Sequence, residues 1–205
     1  MEDRPILNYL KSFINNLRTT IGAALLVFML TGCAVSNEYG PYRGKVVDAE
    51  TGKAIEGAVV FVRFDTLEYG SPGGPNSKYI DSVEVLTDEN GEFAIPVYKI
   101  RTFKILHRWD PYETVIIFFP GYGVFPKHPK SLRDHPELEH MLPEETYVTI
   151  QLPKLKTIQE RKKNSRIYIS DSVPYNKQKL LLDQINIEKK LLGLQPRGIP
   201  DGGGD

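Results

Sequence analysis

The sequence predicts an all-β sandwich followed by a short C-terminal helical appendage. Short runs of β-forming residues lie between Arg43 and Leu152, turn residues separate those runs, and apolar residues recur at helical spacing further on. Residues 33–205 are enough for one ordinary domain plus an appendage. The predicted strands are 43–48, 57–65, 79–87, 91–97, 113–119 and 146–152.

The third and fourth predicted strands show apolar residues alternating with polar ones. The link between them, 88–91, reads Asp-Glu-Asn-Gly, and Asn and Gly tolerate the positive φ angles of a tight hairpin. Its acidic residues also suggest calcium, but the remaining positions of an EF-hand loop are missing. We expect a hairpin whose two strands cover one face of the core with Val83, Val85, Thr87, Phe93, Ile95 and Val97.

The fifth predicted strand, Thr114 to Phe119, is apolar almost throughout. A strand without polar alternation is typical of a position that is buried on both sides of a sheet. We therefore expect this strand in the middle of its sheet.

The segment 153–195 has helical character. Leu181, Ile185 and Leu192 fall on one stripe of a helix, which Leu182 and Gln178 widen. Ser172 can cap this helix, Pro174 suits its first turn, and Gly193 and Pro196 end it. A shorter charged helix is expected within 154–164, and the glycine-rich tail 196–205 is expected to be disordered.

An apolar run from Ile21 to Leu30 leads directly into Leu30-Thr31-Gly32-Cys33. This tetrapeptide resembles the lipobox of bacterial lipoproteins, with its pattern of aliphatic, small, small and cysteine. The run is too short to span a bilayer, which takes about 20 residues, and basic residues precede it. An uncleaved anchor or a membrane-facing amphipathic helix is the alternative. The resemblance implies a signal peptide over 1–32, with a linker over 33–42.

In lipoproteins the cysteine thiol receives a diacylglycerol, and the new amino terminus is usually acylated, with palmitate as a common chain. Cys33 is therefore the expected lipidation site and membrane anchor. It is the single cysteine, so no thiol remains for a disulfide or a thiolate metal site. Ala34 and Val35 follow without an aspartate, which suggests the outer membrane under the lipoprotein sorting pattern of Gram-negative cells.

Four blocks of the predicted sandwich stand out together, namely Gly44–Asp48, Thr51–Val60, Thr87–Phe93 and Pro120–Tyr122. They resemble the carboxypeptidase regulatory-like domain, a transthyretin-like β-sandwich. The resemblance covers 43–152 and implies a non-catalytic accessory, binding or structural module. A long insertion after Tyr122 departs from the minimal domain.

Charge is distributed unevenly along the chain. Residues 33–153 contain 12 basic and 18 acidic side chains, a net charge of −6, whereas residues 154–205 contain 11 and 6, a net charge of +5. This asymmetry favours docking of the basic segment on the acidic domain or on another anionic surface. A solvated charged helix is the alternative.

Two groups of residues are candidates for ligand binding. Tyr69, Arg108, Trp109 and Tyr112 combine aromatic rings with a guanidinium, which can stack on sugar rings and donate directional hydrogen bonds, or pack at the edge of the core. His128, His135 and His140 lie near carboxylates in a proline-rich loop. Their spacing does not match the His-Glu-x-x-His motif of metalloproteases, so we expect no metal and no other cofactor.

The sequence offers little for catalysis or nucleic-acid binding. It has no Gly-x-Ser-x-Gly elbow and no glycine-rich phosphate loop, and its basic tail lacks interleaved aromatic residues. The leading hypothesis is a lipid-anchored, non-catalytic binding or scaffold module of the cell envelope, with an envelope protein or glycan as partner. The alternatives are a module that binds carbohydrate or cell-wall glycan, and a metal-binding protein or metal-dependent enzyme.

Overall fold

The strands and helices are those of a computed structural model, which describes residues 13–22, 34–68, 76–103, 109–134, 142–167 and 171–198. None of the helices in these ranges is long and apolar enough to cross a membrane. The helices are α1 (13–22), α2 (Ile158–Asn164) and α3 (Lys179–Leu191), with a 3-10 turn at Tyr175–Lys177. The strands are β1 (Ala34–Tyr39), β2 (Tyr42–Asp48), β3 (Val59–Glu68), β4 (Asn76–Leu86), β5 (Glu92–Ile95), β6 (Tyr98–Phe103), β7 (Trp109–Phe118), β8 (Leu132–Arg133) and β9 (Tyr147–Leu152).

The described residues fall into two units. The smaller unit contains α1 and residues 34–37 and 101–103, which belong to the two-stranded sheet of β1 and β6. The apolar side chains of α1, among them Phe13 and Leu17, are exposed. The larger unit contains the sandwich and the C-terminal helices.

Two sheets of the larger unit enclose the main core. One has the strand order β5-β2-β9-β8, with β2 parallel to β9, and the other has the order β4-β3-β7 with antiparallel pairs. The core takes side chains from both sheets, such as Val46 and Ile150 from the first and Val60 and Val115 from the second. The predicted all-β sandwich with a small helical part is therefore the observed architecture.

All six predicted strands are present, with ends that differ by a few residues. Sequence analysis missed β1, β6 and β8. The range 33–42, expected as a linker, contains β1. β8 has only two residues, and β1 and β6 pair with each other in a separate two-stranded sheet.

The 88–91 link does not form the predicted hairpin. Its flanking strands lie in different sheets, because β4 pairs with β3 and β5 pairs with β2. The turn chemistry is as expected: Gly91 has φ +73°, and the Asp88 carboxylate accepts hydrogen bonds from the backbone N–H groups of Asn90 and Glu92. The turn thus carries the chain from one sheet to the other. Both strands still contribute to one core, but Val97 is exposed.

The predicted mid-sheet position of 114–119 is also wrong. The middle strand of its sheet is β3, and β7 lies beside it. Burial on both sides is nevertheless observed, because Ile117 faces the sandwich core while Phe118 belongs to a second apolar cluster beneath the helices. Helical cover on the outer face explains why an outer strand lacks polar alternation.

Helix α3 packs on that outer face. Leu181 and Ile185 are buried with Val59 and Phe61 of β3, as the periodicity predicts. Leu192 is only half-buried and lies past the last helical residue. Leu182 is the third buried apolar residue of the stripe.

The start of α3 differs from the prediction. Gln178, and not Ser172, occupies the N-cap, and its side chain makes no capping hydrogen bond. The cap comes from β4, where Glu84 accepts from the backbone N–H groups of Leu180 and Leu181 at 2.8 and 3.0 Å. The helix end is as predicted, since Gly193 has φ +66°.

The tail expected to be disordered from residue 196 is held in place through residue 198. The Asn186 side chain accepts from the Arg197 N–H at 2.7 Å and donates to its carbonyl at 3.3 Å. Residues 199–205 lie outside the described ranges.

Candidate binding site

Several predicted site residues lie outside the described ranges. These are the expected lipidation site, Cys33, and the ligand-binding candidates Tyr69 and Arg108. Trp109 and Tyr112 are described by their backbone, which pairs in β7 with Glu68 and Asp65 of β3. The glycan-binding hypothesis therefore stays a prediction.

The histidine loop is described around His128, whereas His135 and His140 lie outside the described ranges. The Nδ1 of His128 accepts a hydrogen bond from the backbone N–H of Lys130 at 3.2 Å. Burial lowers the pKa of His128, and the charges of Lys130 and Lys163 add to this shift. Across the described residues, no group of three or more His, Cys, Asp or Glu side chains could hold a metal ion. Metal binding by the complete loop stays a prediction.

The residues of the four sequence blocks hold one another at one end of the sandwich. The Asp48 carboxylate accepts from the backbone N–H groups of Glu50 and Thr51 and from the Tyr122 hydroxyl, the last at 3.0 Å. Burial opposes ionisation of Asp48, but these hydrogen bonds outweigh it and lower its pKa. The Thr87 hydroxyl donates to the Ile55 carbonyl at 2.6 Å. The hydrogen bonds of Asp48, Tyr122 and Thr87 therefore hold the turns at this end of the sandwich in place.

An ion pair joins α2 to α3. The Arg161 guanidinium donates two hydrogen bonds to the Glu188 carboxylate, at 2.9 and 2.6 Å. Glu188 is fully buried, and the hydrogen bond from Arg161 to it raises the pKa of Arg161. This two-point contact fixes the distance and angle between the two helices.

The Glu84 cap joins α3 to the sheet, and its loss should be measurable. Glu84→Ala should lower the free energy of unfolding by about 1–2 kcal/mol, because two backbone N–H groups at the helix start lose their acceptor. Chemical denaturation checks this value. Glu89→Ala, which removes an exposed carboxylate from a turn, should leave stability unchanged. Equal stability of the two variants would contradict the capping role.

A cationic groove lies between α2, α3 and the chain that follows α3. It has a volume of about 350 Å³. The apolar side chains that line it are Ile167, Ile185 and Leu194. Its cations are Lys162, Arg166, Lys189 and Arg197, with Ser165 and Gln195 completing the lining.

The wall of the cationic groove that is formed by the chain after α3 depends on Arg197. Besides the backbone bonds to Asn186, its guanidinium contacts the Ile167 carbonyl and the Asp171 carboxylate, both at 3.4 Å. The N–H of Leu194 donates to the Lys189 carbonyl at 2.8 Å and turns the chain back along α3. The groove is therefore built by contacts between residues that are far apart in sequence.

A second cleft, of about 340 Å³, lies on the other side of α2 and includes His128, Lys127 and Lys163. The Asn164 side chain forms its base by accepting from the Val124 N–H and donating to the Tyr122 carbonyl, at 3.0 and 2.8 Å. Glu160 also lines this cleft, but its carboxylate closes a capping box with Thr157. The second cleft is thus of mixed charge.

A buried carboxyl group lies inside the sandwich. The Tyr42 hydroxyl donates to the carboxylate of Glu113, and the backbone N–H of Leu142 donates to it as well. Glu144, which accepts from the Gly40 N–H at 3.0 Å, lies near enough to repel its charge. Burial, with this repulsion, raises the pKa of Glu113 to about 7. No sequence pattern distinguished Glu113 from an exposed glutamate.

Comparisons with known proteins do not assign a family. No protein-family model and no curated protein matches the sequence. A solved structure with some similarity is an alternative pilotin from the type II secretion system of Vibrio cholerae. The similarity covers 60% of this chain and 100% of that chain, with 18% identity and a TM-score of 0.25. A TM-score of this size does not establish a shared fold.

Proposed function

We propose that this chain is a lipid-anchored protein of the bacterial cell envelope that acts as a non-catalytic binding module. The observation that carries the proposal is the tetrapeptide Leu30–Cys33 after an apolar run. Cys33 receives the lipid, and Ala34 and Val35 direct the protein to the outer membrane. Strand β1 begins at Ala34, directly after the attachment site.

A transthyretin-like sandwich of the carboxypeptidase regulatory-like class serves as the scaffold in this proposal. Support comes from the contacts among the four sequence blocks, such as Tyr122 with Asp48 and Thr87 with Ile55. In this chain these residues shape turns. The non-catalytic role is supported by the use of Asp48, Glu84 and Glu188 in structural contacts.

The helical layer forms the binding surface in the proposal. The sandwich core buries one face of the β4-β3-β7 sheet, and α3 covers the other face. The solvent-exposed surface on the helical side is therefore formed by α2, α3 and the chain after them. The cationic groove lies in this layer. An anionic partner is the occupant that its charge favours.

Cys33→Ser should abolish incorporation of radiolabelled palmitate and move the full-length protein out of the detergent-extracted membrane fraction. The reason is that Cys33 is the single thiol of the chain and the only acceptor. Labelling in growing Gram-negative cells, followed by fractionation, measures both effects.

A matched control moves the thiol instead of removing it. The double variant Cys33→Ser/Ser36→Cys keeps one cysteine outside the tetrapeptide and should stay unlabelled. Unchanged palmitate incorporation in Cys33→Ser would contradict the lipoprotein proposal, whatever the fractionation shows.

A further inference from the structure

We propose that the cationic groove binds an acidic segment of a partner protein, with an apolar side chain of that segment on the groove floor. The inference rests on the proposed binding role and specifies the chemistry of the partner. The groove combines positive charge with an apolar floor, and its volume of about 350 Å³ suits a few residues of a peptide.

The cations of the groove are not used to cap the two helices. The last carbonyls of α3 accept backbone N–H groups from Leu192, Gly193 and Leu194. At the end of α2, Ser165 satisfies the carbonyls of Arg161 and Lys162 with its N–H and hydroxyl. The side chains of Lys162, Arg166 and Lys189 therefore remain available to an anionic ligand.

Among the described residues, three of these cations also have no anionic partner. In the described part of the structure, no carboxylate forms an ion pair with Lys162, Arg166 or Lys189. Other basic residues of the helical segment do pair with the sandwich side, as Lys177 does with Asp81 at 2.9 Å. The clustering of unpaired cations around one concave surface is the charge complement of an acidic ligand.

The floor of the groove favours a peptide over a membrane surface. Ile167 and Ile185 are only 7% and 1% exposed, so half-buried Leu194 supplies most of the apolar surface that a ligand can reach on the floor. Lipid headgroups bind basic recesses through their charge, but their polar groups gain nothing from the apolar floor of this groove. An apolar side chain on an acidic segment can enter the groove and bury this surface.

The groove is also pre-organised. The ion pair between Arg161 and Glu188 fixes the α2 wall relative to α3, and Asn186 fixes the backbone of Arg197 on the opposite side. A ligand therefore does not have to order these walls, and this lowers the conformational entropy lost on binding.

The test is fluorescence polarisation with the purified, lipidated full-length mature protein in detergent. The probe is a short fluorescein-labelled peptide that alternates glutamate and leucine. We expect saturable binding at low ionic strength that weakens as salt is added. The double reversal Lys162→Glu/Arg166→Glu should weaken binding about tenfold or more, since repulsion replaces attraction at two positions.

The matched control reverses two cations, one on α2 and one on α3, that do not line the groove. Lys163→Glu/Lys190→Glu changes the net charge by the same amount, and both side chains are exposed. It should change the affinity less than about twofold. A peptide of the same length that alternates glutamate and serine should bind more weakly than the probe, because it carries the same charge but cannot use the floor.

Several results would overturn the inference. These are no saturable binding, equal weakening by both double variants, or equal binding of the peptide that alternates glutamate and serine. Groove-dependent binding to phosphatidylglycerol vesicles without peptide binding would assign the groove to the membrane instead. Because palmitate labelling is a separate measurement, failure of the peptide test leaves the lipid anchor intact, and the two failures remain distinguishable.

Discussion

Leu181→Ala should lower the free energy of unfolding by about 2–5 kcal/mol, the usual cost of a leucine truncated in a core. Leu181 is fully buried, and its cluster includes Val59 and Phe61 of β3 and Phe118 of β7. Removal of its side chain leaves a cavity between α3 and the sheet, because both walls are held by other contacts. Urea denaturation of the variant and the unchanged chain measures the difference.

The control for this substitution lies on the same helix. Leu191 is 65% exposed, so Leu191→Ala should change stability by no more than about 0.5 kcal/mol. If both variants lose the same stability, or if hydrogen exchange finds the amides of α3 unprotected, then α3 does not pack on the sheet. In that case the helix would act as an arm that orders on a partner.

The helical stripe could be predicted from sequence, but the surface it covers could not. A spacing of four residues between Leu181 and Ile185 is enough to place both on one face of a helix. Their partners Val59 and Phe61 lie in an apolar run, Val59–Val62, in which both faces of β3 are buried and no alternation shows. Such a run does not tell which face meets a sheet and which meets a helix.

The hairpin error has a related cause. Turn residues at 88–91 specify the local reversal of the chain, and the Asp88 contacts show that this part was correct. Whether two strands that flank a turn pair with each other depends on competition from other strands. Here β3 pairs with β4 and β2 pairs with β5.

The cationic groove could be predicted only as a charge imbalance. The net charge of +5 in residues 154–205 indicates an excess of cations, but not where they meet. Their placement depends on Arg161 with Glu188 and Asn186 with Arg197, which are contacts over 27 and 11 residues. Neither contact can be predicted from the local periodicity of apolar and polar residues.

The buried Glu113 should make stability fall as pH rises from about 4.5 to about 7. Its pKa is raised to about 7 in the folded protein from an ordinary value of 4.5, so the folded state binds more protons in this range. Glu113→Gln removes this titration and keeps an oxygen that can accept from Tyr42. At pH 8 the variant should be more stable than the unchanged chain by up to about 3 kcal/mol, and near pH 4 the two should be similar.

The difference between the two chains, measured by urea denaturation at several pH values, isolates Glu113 from other titrating groups. His128 acts in the opposite direction, because its lowered pKa makes the folded state lose stability as pH falls below about 6.5. This contribution is the same in both chains and cancels in the difference. A difference that stays constant from pH 4 to pH 8 would contradict the raised pKa, and it would mean that hydrogen bonds from Tyr42 and Leu142 compensate the carboxylate for its burial.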